Sequence, residues 1–133
     1  TAAGSLHGMR RRNMDPANVA RAAVEGMLCG LADGLAALTD RGVPVRRILL
    51  VGGGARSEAV RRVAATVLEV PVVVPEPAEY VALGAARQAA WALASTAAPP
   101  EWKPGGPEVA VGADPAPQVR ERYTEVRRAV HGA

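Results

Sequence analysis

The stretch from residue 49 to residue 60 reads LLVGGGARSEAV, an apolar run that ends in three consecutive glycines before a helical pattern begins. Each glycine in regular structure costs roughly 0.5–1 kcal/mol against alanine, so three together require a steric reason. A tight strand-to-helix turn, a bound ligand, or both would supply it. The flanking residues fit that geometry. Residues 46–51 predict a short, continuously apolar strand of the kind found in a parallel sheet covered on both faces. Beyond the glycines, Val60, Val63, Ala64, Val67 and Leu68 share one face of a helix, with Arg61 and Arg62 on the outer face.

The rest of the chain alternates helix and strand around this turn. Asp15 and Pro16 start an earlier helix, because Asp accepts from free amides and Pro in the first turn loses no hydrogen bond. Val24, Leu28, Leu31, Leu35 and Leu38 recur at spacings of four and three and form its core stripe, which ends near Gly42 and Pro44. Gly26, Gly30 and Gly34, extended by Ala22 and Ala37, make a second stripe of small residues on the same helix. Such a stripe implies close packing against a neighbouring helix or strand, or against a ligand. Residues 71–74 (PVVV) predict a second strand, closed by Pro75 and Pro77. From Glu79, EYVALGAARQAAWALA predicts a helix that is apolar nearly all round and therefore buried on more than one side. Residues 96–117 are rich in Pro and Gly and predict an irregular connection, and residues 115–131 a terminal helix with Val119, Tyr123, Val126 and Val130 on one face. The order is that of an α/β chain without internal repeats. Two strands are too few to cover these helices, so we expect an open sheet edge and an isolated chain that self-associates, for example as a homodimer, or is only partly folded.

Composition removes several function classes. The 133 residues suit one domain by length, and the 49% that are hydrophobic include two Trp, two Tyr and no Phe. Proteins that bind nucleic acid by base stacking need aromatic platforms, which this chain lacks. The net charge of +3 is spread along the chain as arginines, and Arg10, Arg11 and Arg12 form too small a cluster for a nucleic-acid patch. We expect no nucleic-acid partner. Cys29 is the single cysteine, which rules out an intrachain disulfide or a zinc cluster and fits a reduced, cytoplasmic setting. No apolar run approaches the ~20 residues needed to span a bilayer, and the N-terminal residues lack a continuous apolar signal core. We expect a soluble protein with no membrane partner.

A strand, a glycine turn and a helix N-terminus make a general anion site, since free amides and the helix dipole both point at the turn. A P-loop is excluded because no Lys-Ser/Thr pair follows at the required spacing. A dinucleotide fold remains open: Gly52 and Gly54 supply GxG and Glu76 could hold a ribose, although Ser57 stands where a third glycine is expected. His7 and His131 lie near the two ends and read as solvated. Ser57 reads as a helix cap whose hydroxyl can also face a base or ribose, and Glu79 as a carboxylate favoured by the dipole of the helix it opens. No catalytic base and nucleophile assemble from these residues.

ILLVGGGARS paired with PVVVPEPAEYVALGAARQAA, after a helix carrying ARAAVEGMLCGLADGLAAL, resembles the C-terminal domain of the FGGY carbohydrate kinases, most closely the xylulokinase branch. The final DPAPQVRERYTEVRRAV is similar to their tyrosine-containing last helix. The resemblance implies part of an actin-like and hexokinase-like (ribonuclease H-like) ATPase domain, spanning residues 1–133, in a kinase that moves the γ-phosphate of ATP to a ketose with Mg²⁺. It implies that Gly52, Gly53 and Gly54, with Ala55 in the same turn, line the nucleotide, and that Ser57 stands beside the adenine. The helix from Glu79 would support that pocket. Thr66 and Glu69 depart from the family, which usually carries an Asp and a Gly in this stretch, and the departure bears on how the helix ends. The sugar-binding lobe and the catalytic aspartate of the family lie upstream of the residues matched here, so the implied ketose would be bound by that lobe, and this chain alone is expected to be inactive.

Overall fold

The computed structural model describes residues 3–102, 106–112 and 114–132. Four α-helices and three short strands follow in the order α1 (Pro16–Thr39), β1 (Ile48–Leu49), α2 (Glu58–Val67), β2 (Val72–Val74), α3 (Tyr80–Ala94), β3 (Val109–Ala110) and α4 (Pro117–His131). A 3-10 turn, Gly53–Arg56, joins β1 to α2. The predicted first strand shortens to its centre, because only Ile48 to Leu50 find partners on β2.

The sheet has the order β1-β2-β3. β1 runs parallel to β2, with Ile48 opposite Val72 and Leu49 opposite Val73. β3 runs antiparallel to β2, with Val73 opposite Ala110 and Val74 opposite Val109. This third strand corrects the expectation of two strands and of an unbroken irregular connection over residues 96–117. A run of only four residues, EVAV, between proline and glycine clusters gives too little periodicity to read as a strand, yet the free edge of β2 pairs with it. Residues 103–105 and 113 of that connection lie outside the described residues.

The core is built around α2. Val63, Ala64, Val67 and Leu68 of this segment pack with Leu28, Cys29 and Ala32 of α1 and with Val72, while Val119 and Tyr123 of α4 close over them. The α2 stripe read from sequence is therefore the core face, and each fully buried Val or Leu contributes on the order of 1.5–3 kcal/mol. The α1 stripe is partly corrected: Leu28 is buried, but Leu31 is 61% and Leu38 49% exposed. Cys29 and Ala32 take their places because α1 meets α2 along a face rotated from the leucine row.

The glycine stripe of α1 meets little. A side chain at Gly26 or Gly34 would touch nothing within 4 Å, and one at Gly30 only the Tyr123 hydroxyl at 3.8 Å. The expected intimate neighbour is reduced to that single contact. α1 also qualifies by length and mean hydropathy (24 residues, 1.3) as a helix able to cross a membrane, which corrects the expectation that no such segment exists. Only Leu28, Cys29 and Ala32 of its residues are buried, and Asp33 on the same helix pairs with Arg120 and Arg127 of α4.

α3 departs most from expectation. It contains no buried residue, and Val81 and Leu93 are 87% and 88% exposed. Its apolar periphery is genuine, but the three strands leave it uncovered among the described residues. Local bonds fix its end: Trp91 donates from Nε1 to the Thr96 carbonyl at 2.7 Å, and Arg87 from Nε to the Pro100 carbonyl at 2.7 Å.

Candidate functional site: the glycine turn

Gly52 leaves β1 at φ +87°, a left-handed conformation that disfavours any residue with a Cβ. The backbone then winds through one 3-10 turn, in which Ala55 N donates to Gly52 O and Ser57 N to Gly54 O, both at 3.1 Å. Ala55 is 6% exposed, and its carbonyl accepts from Arg61 Nε. Ser57 caps α2, its hydroxyl oxygen accepting from Val60 N at 3.4 Å. Gly53 and Gly54 differ from Gly52. A Cβ at either would meet no atom within 4 Å, so the chain itself gives no steric reason for glycine at these two positions.

Beside the turn lies a cavity of about 410 Å³ at the C-terminal ends of β1 and β2. That end of a parallel pair is where open α/β sheets bind ligands. One wall is the turn itself, including Gly52, Gly53 and Ala55, together with Arg56 and Arg61. The other is the β2–α3 connection, with Glu76, Glu79 and Tyr80. Pro107 and Val109 contribute from β3 and the residues before it. Tyr80 stays in place by donating its hydroxyl to the Glu76 carbonyl at 2.6 Å. Gly106, at φ +91°, lies so close to Glu76 that any side chain there would run into the carboxylate.

Of the residues singled out in sequence, Gly52, Gly53 and Ala55 line the cavity, whereas Gly54 and Ser57 do not. Glu76 and Glu79 do line it. The sequence reading missed Arg61, placed there on the outer face of α2. Arg61 instead folds back, donating from Nε to the Ala55 carbonyl at 2.6 Å and from Nη2 to the Arg56 carbonyl at 3.2 Å. The signal was available: helical side chains lean toward the N-terminus, so a long arginine in the first turn reaches the loop that precedes it. His7 and His131 lie far from this cavity and border another groove, between α1 and α4. Among the described residues no three His, Cys, Asp or Glu side chains gather as a metal site.

A strand, a glycine turn and a capped helix beside a second parallel strand form an open α/β unit with a cavity at the C-terminal ends of its strands. The solved xylulose kinase from Bifidobacterium adolescentis superimposes on 95% of this chain with a TM-score of 0.69 and 42% identity, which places the chain in the actin-like ATPase fold. Residues 1–93 match the C-terminal domain of the FGGY family of carbohydrate kinases, and the chain belongs to that family. Glycerol kinase of Koribacter versatilis is 41% identical over 86 residues, and xylulose kinase of Streptomyces coelicolor 38% identical over 91. Those matches cover 64% and 68% of this chain but only 17% and 19% of the two relatives. The chain likewise spans 25% of the solved xylulose kinase.

Proposed function

We propose that this chain is the ATP-binding part of a kinase that phosphorylates a ketose, D-xylulose, to D-xylulose 5-phosphate. The observation that carries the nucleotide assignment is the bare backbone at Gly53, where a missing side chain opens onto a cavity and relieves no contact within the chain. Xylulose is chosen on the 42% identity with the solved xylulose kinase, whereas sequence matches to glycerol kinases and to xylulose kinases cover nearly the same share of the chain, 69% for the glycerol kinase of Bordetella parapertussis and 68% for the xylulose kinase of Streptomyces coelicolor. Glycerol is the competing substrate.

Phosphoryl transfer depends mainly on positioning and charge stabilisation. In this reading Gly52 and Gly53 present backbone to the nucleotide, Ser57 holds the start of α2, and Arg61 holds the turn. The open cradle fits ATP. Mg²⁺ fits only as an ion carried in on the phosphates, with water and phosphate oxygens as its usual ligands. The base that takes the sugar proton is not assigned to any residue here, so the 133-residue chain by itself is expected to show no turnover. We place the protein in the cytoplasm, in keeping with its unpaired, buried Cys29.

The test is steady-state kinetics of the full-length polypeptide carrying these residues, with xylulose and glycerol as acceptors. Gly53→Val is expected to raise KM for ATP by about tenfold or more, equivalent to ~1.4 kcal/mol, while sugar KM stays unchanged. Equal losses for both ligands, or none for ATP, sink the nucleotide assignment. A preference for glycerol sinks the substrate assignment alone.

A further inference from the structure

The glycine turn and the β2–α3 connection make two walls of the cavity, and a third comes from far along the chain. Pro107 and Val109 line it, and both lie beyond residues 1–93, which match the family domain. This third wall is lightly held. β3 contains no buried residue and Val109 is 59% exposed, so little apolar burial fixes it. Its backbone attachment is the pairing of Ala110 and Val109 with Val73 and Val74, continued by the Val111 amide, which donates to the Val72 carbonyl at 2.9 Å. One side-chain bond adds to this. Arg47 donates from Nη1 to Glu108 Oε2 at 2.5 Å. Arg47 directly precedes β1 and Glu108 directly precedes β3, so their ion pair ties the two outer strands together across β2. Neither residue lines the cavity. Glu108 stands between two residues that do, and along an extended backbone its side chain points to the opposite side.

We propose that Arg47 and Glu108 are positioning residues for the nucleotide: their ion pair keeps Pro107 and Val109 against the cavity as its third wall without touching the ligand. This rests on the nucleotide reading above and adds a part of the site that lies outside the matched domain. When a wall is in place for only a fraction of the time, apparent affinity falls by that fraction. A wall with so little buried surface depends on each of its fasteners, and loss of the ion pair therefore weakens binding from a distance. The Arg47 and Glu108 side chains are 54% and 38% accessible, so solvent limits the size of the effect.

The experiment measures steady-state kinetics of the full-length polypeptide with Arg47→Gln, Glu108→Gln and the charge exchange Arg47→Glu with Glu108→Arg. Each single variant is expected to raise KM for ATP about two- to fivefold, the range open to an exposed ion pair, with kcat and the sugar KM unchanged. The exchange variant, which restores the pair in reverse, is expected to bring KM for ATP back to within about twofold of the unsubstituted protein. A role in stability alone would move the urea midpoint and leave KM for ATP where it was, and the inference then falls. It falls also if the sugar KM rises as much as that for ATP, or if the exchange variant is as weak as the single ones. Gly53→Val serves as the reference for the nucleotide reading. If KM for ATP responds to Gly53→Val and not to Glu108→Gln, only the positioning role is overturned; if it responds to neither, the nucleotide reading falls and takes the inference with it.

Discussion

Arg120 reaches from α4 to Asp33 on α1, donating from Nη1 to Oδ1 at 2.9 Å and to the Cys29 carbonyl at 2.8 Å. Arg127 takes the other carboxylate oxygen of Asp33 at 2.7 Å. One acid thus holds two turns of the last helix. Burial opposes the charge on Arg120, but the hydrogen bond and attraction of Asp33 outweigh it and push its proton affinity up. The group is partly exposed, with 22% and 23% of the Arg120 and Asp33 side chains accessible, so solvent screens part of the gain. We expect Asp33→Ala to cost about 2 kcal/mol in urea unfolding, below the range for a fully buried pair. Arg120→Ala combined with Asp33→Ala should cost clearly less than the sum of the two; strict additivity would show that the pair is uncoupled.

Glu69, just past the end of α2, adopts φ +53°. This is the position after the Leu68 cap, where a helix commonly closes with glycine. The family departure noted at this residue therefore has a physical cost, of about 1 kcal/mol for a side chain held in the left-handed region. Glu69→Gly is expected to raise the melting temperature, and a lowered one would show that the glutamate is compensated by contacts of its own.

Cys29 is 1% exposed, and its burial raises the thiol pKa above the ordinary value of 9.0, with Arg120 pulling weakly the other way. The folded state thus keeps the thiol proton to higher pH than the unfolded chain does. The contribution is complete below the ordinary thiol pKa and is lost as pH rises through that value toward the higher folded one. Stability should therefore fall above pH 9 in the native protein. Cys29→Ala should flatten that decline whatever its effect at neutral pH. An unchanged slope in the variant would assign the decline to other groups.

Adjacent glycines should respond differently to the same change. Gly52→Ala forces a Cβ into φ +87° and is expected to lower stability by about 1 kcal/mol or more, whereas Gly53→Ala meets open space and should leave unfolding nearly unchanged. Chemical denaturation of both variants checks this, and equal losses would remove the distinction between a glycine needed by the fold and one left for a ligand.

The open edge of β1 and the bare faces of α3 predict concentration-dependent sedimentation of the 133-residue chain. Leu49 and Val51, 47% and 43% exposed, lie at that edge. A compact monomer at all concentrations would show that the third strand completes the sheet.

The sequence revealed what short-range repetition encodes and little of what distance decides. The α2 face was legible because five apolar residues share one helical side, and four of them, Val63, Ala64, Val67 and Leu68, meet a partner layer. α3 was misread for the same reason in reverse: its apolar residues announce burial, but no spacing shows whether the covering layer belongs to these residues. β3 is two residues long and exists through its pairing with β2, which no local pattern encodes. At the site, the glycines identified the turn, while Arg61 was hidden because its partners are carbonyls and leave no trace in side-chain patterning.

The match to the FGGY C-terminal domain ends at residue 93, one residue before α3 does, although the likeness to the solved xylulose kinase runs on over 95% of the chain. β3 and α4 lie beyond it, yet β3 occupies one edge of β2, and α4 is bound to Asp33. Cutting the gene where the likeness stops would expose β2 on that side and strip two arginines from α1. The border of the matched domain and the border of the packed unit are different places in this chain, and an expression boundary should follow the second.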